Sequence, residues 1–222
     1  MVNILYENSG ILVCVKPSGT LSEHSDKPNS LPLMIEKEYF EKNRPISLFA
    51  VHRLDREVCG VMVYAKNAEC AGKLSEQISN RRFHKEYLAI VEGCPDKDED
   101  TLKDLLFKAS QKNKSYVVTR QRKGVKEASL EYKLLDKKED SSLLRIILHT
   151  GRTHQIRVQF GSRGHSIIGD KKYGSKTGSS AITLCSHKIE FSDPISGERL
   201  CFTYTPADID KWNEYNDILK NR

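Results

Sequence analysis

The feature that most constrains the fold of this 222-residue chain is the length of its apolar runs. Residues 11–15 and 61–65 are typical, since each run is five residues long and lies between a glycine and a lysine. Runs of this length fit a β-strand, and none approaches the about 20 residues that a membrane-spanning helix needs. We therefore expect sheets joined by short turns and no membrane segment.

Turn residues and helical spacing predict the other elements. Asn67 can cap a helix, because Ala71, Leu74 and Ile78 follow it at helical spacing. Thr153 is predicted to cap a second helix, which ends near Gly164. We expect strands at 1–6, 11–15, 61–65, 85–91, 128–135, 143–148, 181–191 and 199–204, and helices at 31–41, from 67, at 153–164 and, with polar character, from 207 to the end. Hairpin-linked strands with a few helices indicate an α+β fold, here expected to form a single domain over residues 1–222.

Charge is distributed unevenly along the chain. Lys and Arg exceed Asp and Glu by 36 to 30, a mild bias toward polyanions. Residues 108–126, however, contain no acid at all. We interpret this segment, called the basic strip below, as a phosphate-binding surface. Its cations are Lys108, Lys112, Lys114, Arg120, Arg122, Lys123 and Lys126.

Cysteine spacing and glycine patterns exclude several classes of function. The six cysteines form no CxxC pair, and the N-terminus has no signal-peptide pattern, which indicates reduced thiols in the cytoplasm. No His and Cys spacing matches a familiar zinc site. Both GxGxxG and the P-loop pattern are absent. We therefore expect neither a metal nor a nucleotide cofactor.

Two polar segments are candidates for chemistry. Residues 52–56 read His-Arg-Leu-Asp-Arg and directly precede an apolar strand, and loops that end on rigid strands often hold catalytic groups. Residues 150–157 read Thr-Gly-Arg-Thr-His-Gln-Ile-Arg at a helix start. Taken alone, the first also fits a turn with a capping Asp and the second a capped amphipathic helix.

Together the two segments resemble the RluA-type pseudouridine synthase family, whose motifs read approximately His-Arg-Leu-Asp and Gly-Arg-Thr-His-Gln-Ile-Arg. The resemblance continues through 8–19, where the segment ends Lys-Pro-Ser-Gly, through 85–93, and through 164–174. It spans roughly residues 4–194 in the family's order. It implies a mixed, mainly antiparallel sheet with flanking helices and a central cleft that binds RNA.

The resemblance also assigns site residues. It places the chemistry on Asp55, whose carboxylate can stabilise positive charge at the sugar C1′, attack it, or remove a sugar proton, and these roles stay open. Arg157 is the implied ion-pair partner of Asp55, and Tyr87 is expected to stack on the flipped base. Further substrate-binding candidates are Arg53, Arg56, Arg152, His154, Ile156 and Leu184, together with Lys112, Arg120, Arg122 and Lys123 of the basic strip.

Departures from the family pattern leave the substrate open. Val58-Cys59, Cys185-Ser186 after the matching Leu184, and Gln159 stand where the family commonly has other residues. The expected partner is a structured transfer or ribosomal RNA. The catalytic domain is expected to bind this RNA without the N-terminal S4 domain that many relatives have. We expect a monomer. Two alternatives remain: an inactive RNA-binding protein on the same fold, and a nucleosidase or glycosylase that releases the base.

Overall fold

The computed structural model describes residues 1–179, 181–206 and 210–220. None of the helices within these ranges is long and apolar enough to cross a membrane. The strands are β1 Asn3–Glu7, β2 Ile11–Lys16, β3 Phe49–Ala50, β4 Cys59–Ala65, β5 His84–Glu92, β6 Glu99–Ala109, β7 Lys114–Val118, β8 Val125–Lys137, β9 Ser141–Leu148, β10 Leu184–Ser192 and β11 Arg199–Thr203. The α-helices are α1 Leu31–Glu41, α2 Ala68–Ser79, α3 Gln155–Gly161 and α4 Asn216–Leu219.

The α+β prediction is confirmed, and so are most of the predicted strands and helices. Helix α1 has the predicted bounds. Asn67 caps α2, because its side-chain oxygen accepts a hydrogen bond from the Cys70 amide at 2.9 Å. Strands β6 and β7, however, were not predicted. The chain divides into two compact units, so the single domain stays a prediction.

The first unit comprises Met1–Lys85 and Ser186–Tyr204. Strand β2 pairs antiparallel with β1 and β4, and β10 forms an antiparallel hairpin with β11. All six residues of β2 are buried, which explains its unbroken apolar run. One core cluster contains Val13, Val63 and Leu74, and Phe83 stacks on Phe191 with ring centroids 5.3 Å apart. This core supports the strand that follows the His-Arg-Leu-Asp motif.

The second unit comprises Glu86–Cys185 and the described residues from Thr205 onward. Its strands form antiparallel pairs in the order β5-β9-β8-β6-β7. Helix α3 packs against this sheet, where Val158 joins a buried cluster with Leu106 and Ala128. The segment Asp210–Tyr215 is a 3-10 helix followed by α4, and it buries Trp212. Of the polar helix predicted from 207, residues 207–209, 221 and 222 lie outside the described residues.

The predicted start and end of α3 were wrong. His154, not Thr153, precedes the helix, with a left-handed φ of 54° and no side-chain cap. The Gln155 side chain anchors the start instead, because its oxygen accepts hydrogen bonds from the Thr150 hydroxyl at 2.7 Å and the Arg152 amide at 3.0 Å. The helix ends at Gly161, where a Cβ would lie 2.8 Å from the Tyr173 carbonyl oxygen.

Candidate active site

Asp55 lies in a tight loop of the first unit that leads into β4. Residues 52–58 are called the Asp55 loop below. The neighbouring Leu54 is buried, and the Ser22 hydroxyl accepts from its amide at 3.0 Å and donates to its carbonyl at 2.9 Å. The Val58 amide closes a turn onto the Asp55 carbonyl at 3.0 Å. The partly buried Asp55 side chain therefore projects from a fixed backbone.

The turn at residues 16–19, called the Lys16 turn, grips the Asp55 loop through its carbonyls. The buried Lys16 ammonium donates to the carbonyl oxygens of Pro17 and Arg56 at 3.0 Å each and of Val58 at 2.8 Å. The Gly19 amide donates to the Arg56 carbonyl at 2.8 Å, and the Ser18 hydroxyl donates to that of Glu57 at 2.6 Å. Three consecutive carbonyls of the loop are thus held by one turn.

Burial sets the protonation behaviour of Lys16. Desolvation lowers its pKa to about 8, against the raising influence of the nearby Cys59, Glu57 and Asp55 side chains. The ammonium form therefore predominates at neutral pH and can donate all three hydrogen bonds. Sequence reasoning noted the Lys-Pro-Ser-Gly segment but assigned Lys16 no role.

His52 is a buried residue of the Asp55 loop that contacts β4. Its Nε2 accepts a hydrogen bond from the Val63 amide at 3.1 Å, and its ring lies 5.4 Å from that of Phe83. Burial, reinforced by the charge of Lys85, lowers the pKa of His52 well below its ordinary value. The imidazole is therefore neutral and ties the loop to β4.

The two arginines of the motif are exposed and lie beside acids. Arg53 forms an ion pair with Glu23 at 3.0 Å, and Arg56 forms one with its neighbour Glu57 at 3.0 Å. Exposed ion pairs of this kind are weak. Both guanidinium groups are accessible from solvent, as binding to RNA would require. The substrate-binding role of these two arginines stays a prediction.

Arg157 is the centre of a buried polar network in the second unit. Its Nε donates to Asp170 Oδ2 at 2.6 Å and its Nη2 donates to Oδ1 at 2.9 Å. The two side chains are only 4% and 1% exposed. The guanidinium carbon also lies 5.3 Å from the centroid of the Tyr173 ring.

Tyr173 connects this network to its surroundings. Its hydroxyl accepts from the Ser115 amide at 2.8 Å and lies 2.9 Å from Nδ1 of the buried His154. The Lys114 ammonium lies 5.1 Å from the centroid of the same ring. Arg157, Asp170, Tyr173 and His154 are called the Arg157 cluster below.

Tyr87 lies on the face of the sheet that carries α3. On β9, Ile146 is paired directly with Tyr87 on one side and with Tyr132 on the other, and directly paired residues share a face. The Tyr132 ring packs edge-on against Phe160 of α3, with centroids 5.4 Å apart. Tyr87 is buried, as are Ile156 and Leu184, the two apolar residues among the predicted substrate-binding candidates.

The basic strip runs along the edge of the second unit, from the end of β6 through β7 to the start of β8. Lys112, Arg120, Arg122 and Lys123 are exposed, and Lys114 is half-buried. Within the described ranges, none of these five cations lies in an ion pair. The Arg122 guanidinium stacks over Phe107 at 4.9 Å, while Arg152 donates from Nε to the Glu127 carbonyl at 2.9 Å.

The structure therefore brings Arg157 and His154 together and adds Asp170 and Tyr173, which sequence reasoning did not assign. Both lie in the 164–174 segment that carried part of the family resemblance. Asp55 and Arg157 belong to different units, so their ion pair stays a prediction. In the described part of the chain, no group of three His, Cys, Asp or Glu side chains could hold a metal ion.

Comparison with known proteins identifies the family to which a chain with this fold and these motifs belongs. The family model for RNA pseudouridylate synthase matches residues 10–162, more than half of the chain. The chain belongs to the RNA pseudouridylate synthase family. The predicted RluA-type resemblance is thereby confirmed, and the chain is a pseudouridine synthase, an isomerase.

The relatives of this pseudouridine synthase include bacterial enzymes. Ribosomal large subunit pseudouridine synthase C of Buchnera aphidicola subsp. Acyrthosiphon pisum is 36% identical over 97% of this chain and 70% of its own length. The enzyme of the same name from Salmonella typhimurium is 33% identical over 88% of this chain and 63% of its own. The solved structure of human RNA pseudouridylate synthase domain containing 4 has a TM-score of 0.77 at 22% identity, over 98% of this chain and 93% of that one, and shows the shared fold.

Proposed function

We propose that this pseudouridine synthase isomerises uridine in the RNA of the large ribosomal subunit, with the Asp55 carboxylate as its essential catalytic group. The rRNA assignment rests on the relatives named as ribosomal large subunit enzymes. The observation that supports the catalytic role of Asp55 is the geometry of its loop, in which the Lys16 turn binds three consecutive backbone carbonyls. A catalytic carboxylate needs a preorganised backbone of this kind.

In the proposed reaction the bond between C1′ and N1 of uridine breaks and a bond between C1′ and C5 forms. The C5 proton is lost and N1 gains one, so the base is rearranged with no change in composition. Positive charge develops at C1′ as the first bond breaks, and an ionised carboxylate can stabilise it, attack C1′ or remove a sugar proton. Because every atom of the product is already in the uridine, the proposal requires no cofactor.

The other side chains are proposed to bind and orient the RNA. Arg157 donates to the Asp55 carboxylate, Tyr87 stacks on the flipped base, and Ile156 and Leu184 line the pocket. A single domain acting as a cytoplasmic monomer is part of the proposal, as are the RNA-binding cleft and phosphate contacts from Arg53, Arg56, Arg152 and the basic strip. Support for the strip comes from Lys114, which lies over the Tyr173 ring beside Arg157.

The decisive experiment maps carbodiimide-reactive pseudouridines in total RNA from cells with and without this protein. We expect sites in large-subunit rRNA to disappear without it and to return with the wild-type chain but not with Asp55→Asn. Asp26→Asn, at an exposed loop position of the same unit, is the matched control and should restore them. Sites lost only from transfer RNA would contradict the substrate assignment. Free uracil in a purified reaction would favour the base-releasing alternative.

A further inference from the structure

Phe107 of β6 and Tyr116 of β7 form a cross-strand pair that the proposed function does not use. The two residues are directly paired, so their side chains share one face of the hairpin. The neighbouring pair, Leu106 and Val117, packs into the buried cluster that contains Val158 of α3. Because successive residues of a strand point to opposite faces, Phe107 and Tyr116 lie on the face away from α3. They are called the aromatic pair below.

The face that carries the aromatic pair is apolar and open to solvent. Tyr116 is 37% exposed, and Phe107 is half-buried. Leu105 and Val118, directly paired two residues further along the strands, extend the same face, and both are half-buried as well. An apolar surface that is exposed over several neighbouring residues and bordered by charged ones can mark an interaction site. Its occupant must therefore offer a flat or apolar face.

A cation lies over each ring of the aromatic pair. The Lys114 ammonium is 5.7 Å from the centroid of the Tyr116 ring, and the Arg122 guanidinium carbon is 4.9 Å from that of Phe107. Neither cation has an acidic partner in the described part of the chain, and residues 108–126 contain no acid. Positive charge beside exposed aromatic rings fits a single strand of nucleic acid, whose bases stack on such rings while its phosphates bind the cations.

We propose that the aromatic pair is a base-stacking site for an unpaired nucleotide of the bound RNA, with Tyr116 as the member that contacts the base. Lys114 and Arg122 bind the adjoining phosphates. The inference rests on the proposed function, because it places the substrate RNA along the basic strip. A base inside a duplex has neighbours on both faces, so only an unpaired base can stack on a protein ring.

Lys114 connects the proposed stacking site to the Arg157 cluster. Its ammonium lies 5.1 Å from the centroid of the Tyr173 ring, and that ring lies 5.3 Å from the Arg157 guanidinium carbon. Consecutive contacts within the second unit thus lead from Tyr116 to Arg157. An RNA strand whose target uridine lies beside Arg157 reaches Tyr116 within a few nucleotides. The stacked base therefore belongs to the single-stranded segment that flanks the target uridine.

The first test measures the affinity of the full chain for a short single-stranded oligouridylate. Tyr116→Leu keeps an apolar side chain but removes the ring, and we expect it to weaken binding about tenfold. Tyr116→Phe keeps the ring and should stay within about twofold of wild type. The slope of log affinity against log salt should not change in either variant, because no phosphate contact is lost. Phe40→Leu, at an exposed position of α1 in the first unit, is the matched control and should bind as the wild type does.

The second test locates the base directly. An oligouridylate that contains photoreactive 4-thiouridine should crosslink to the tryptic peptide of residues 115–120, in which Tyr116 is the one aromatic residue. The crosslink should persist in Tyr116→Phe and disappear in Tyr116→Leu. Because the position of the wild-type crosslink does not depend on how any variant folds, it tests the site by itself.

Four results would overturn the inference: an unchanged affinity in Tyr116→Leu, an equal loss in Tyr116→Phe, a lower salt slope, or wild-type crosslinks confined to other peptides. Equal weakening of binding to a duplex of oligouridylate and oligoadenylate, or to polyglutamate, would overturn it as well, because the site would then recognise a duplex or an acidic peptide. A wild-type chain that forms the crosslink but no pseudouridine would refute the proposed function alone. Normal pseudouridine formation without the crosslink would refute the inference alone.

Discussion

Replacing Lys16 with Met tests how firmly the Asp55 loop is held. The substitution keeps the length of the side chain but removes the donor from three carbonyl oxygens, those of Pro17, Arg56 and Val58. Each lost hydrogen bond to a charged group costs about 2 kcal/mol. Removing the buried charge returns about 3 kcal/mol of desolvation, because burial lowers the pKa of Lys16 from 10.5 to about 8 and each pKa unit corresponds to about 1.4 kcal/mol. We therefore expect a net loss of about 3 kcal/mol in the free energy of unfolding at pH 7.

The pH dependence of this loss follows from the lowered pKa. Lys16 keeps its proton up to its ordinary value of 10.5 in the unfolded chain but only to about 8 in the folded protein. Between these values the unfolded state binds more protons, so the free energy of unfolding rises with pH. At about 1.4 kcal/mol per pKa unit, the rise amounts to about 3 kcal/mol. It is complete above pH 10.5 and is lost as the pH falls toward 8.

Urea denaturation followed by circular dichroism at pH 7.5, 9 and 10.5 measures the effect. Between pH 7.5 and 10.5, the free energy of unfolding of the wild-type chain should rise by about 3 kcal/mol relative to that of Lys16→Met. Lys85, whose pKa burial also lowers to about 8, contributes equally to both proteins and cancels. Lys37→Met, at an exposed position of α1, should follow the wild type. If the difference in the free energy of unfolding between wild type and Lys16→Met stayed constant from pH 7.5 to 10.5, the inferred desolvation cost of Lys16 would be refuted.

Three further predictions concern the cap, the basic strip and the proposed ion pair. Asn67→Ala should destabilise the chain by about 1 kcal/mol, because it removes the acceptor of the Cys70 amide, and an unchanged urea midpoint would show that the cap contributes nothing. Replacing four exposed cations of the basic strip by Ala should reduce the slope of log affinity against log salt by about 0.7–0.9 per lost phosphate contact, while an unchanged slope would mean that the strip faces no RNA. In a double-mutant cycle of Asp55→Asn and Arg157→Met, we expect a stability coupling of about 1 kcal/mol or more and no recovery of activity; strictly additive effects would place the two residues apart. The four strip positions are Lys112, Arg120, Arg122 and Lys123.

Sequence patterns predicted those strands and helices whose own residues show an apolar run or a helical repeat. The apolar run of β2 is buried along its whole length, and the helical repeat after Asn67 became α2. Strand β6 was missed because only Leu102 and Leu106 are buried in it. Two buried residues four apart resemble helical spacing more than strand alternation. Strand β6 belongs to the sheet because it pairs with β7 and β8. No local sequence pattern encodes this pairing.

The site was predictable only where residues carried a motif. Asp55, Tyr87 and Arg157 were named from the resemblance, but the residues that hold them depend on long-range contacts. Lys16 binds carbonyls some 40 residues away along the chain. A lysine is rarely buried, so its ordinary interpretation is a solvated charge. Asp170 likewise gave no signal of its own, because its partner lies across a loop and not at helical spacing.

Lys16 and Arg157 are both buried cations, but removing one or the other would leave different groups without a partner. This difference decides how variants at the two positions should be interpreted. The Lys16 ammonium donates its hydrogen bonds to neutral carbonyls, so Lys16→Met leaves polar groups without a donor but no stranded charge. Arg157 binds a carboxylate that is almost inaccessible to solvent, and breaking such a pair costs about 3–5 kcal/mol because one charge stays buried alone. An Arg157 variant can therefore lose activity through Asp170 without any change in the chemistry. Only the pair of substitutions Arg157→Gln and Asp170→Asn, which removes both charges together, separates the catalytic contribution of the arginine from the cost of its stranded partner.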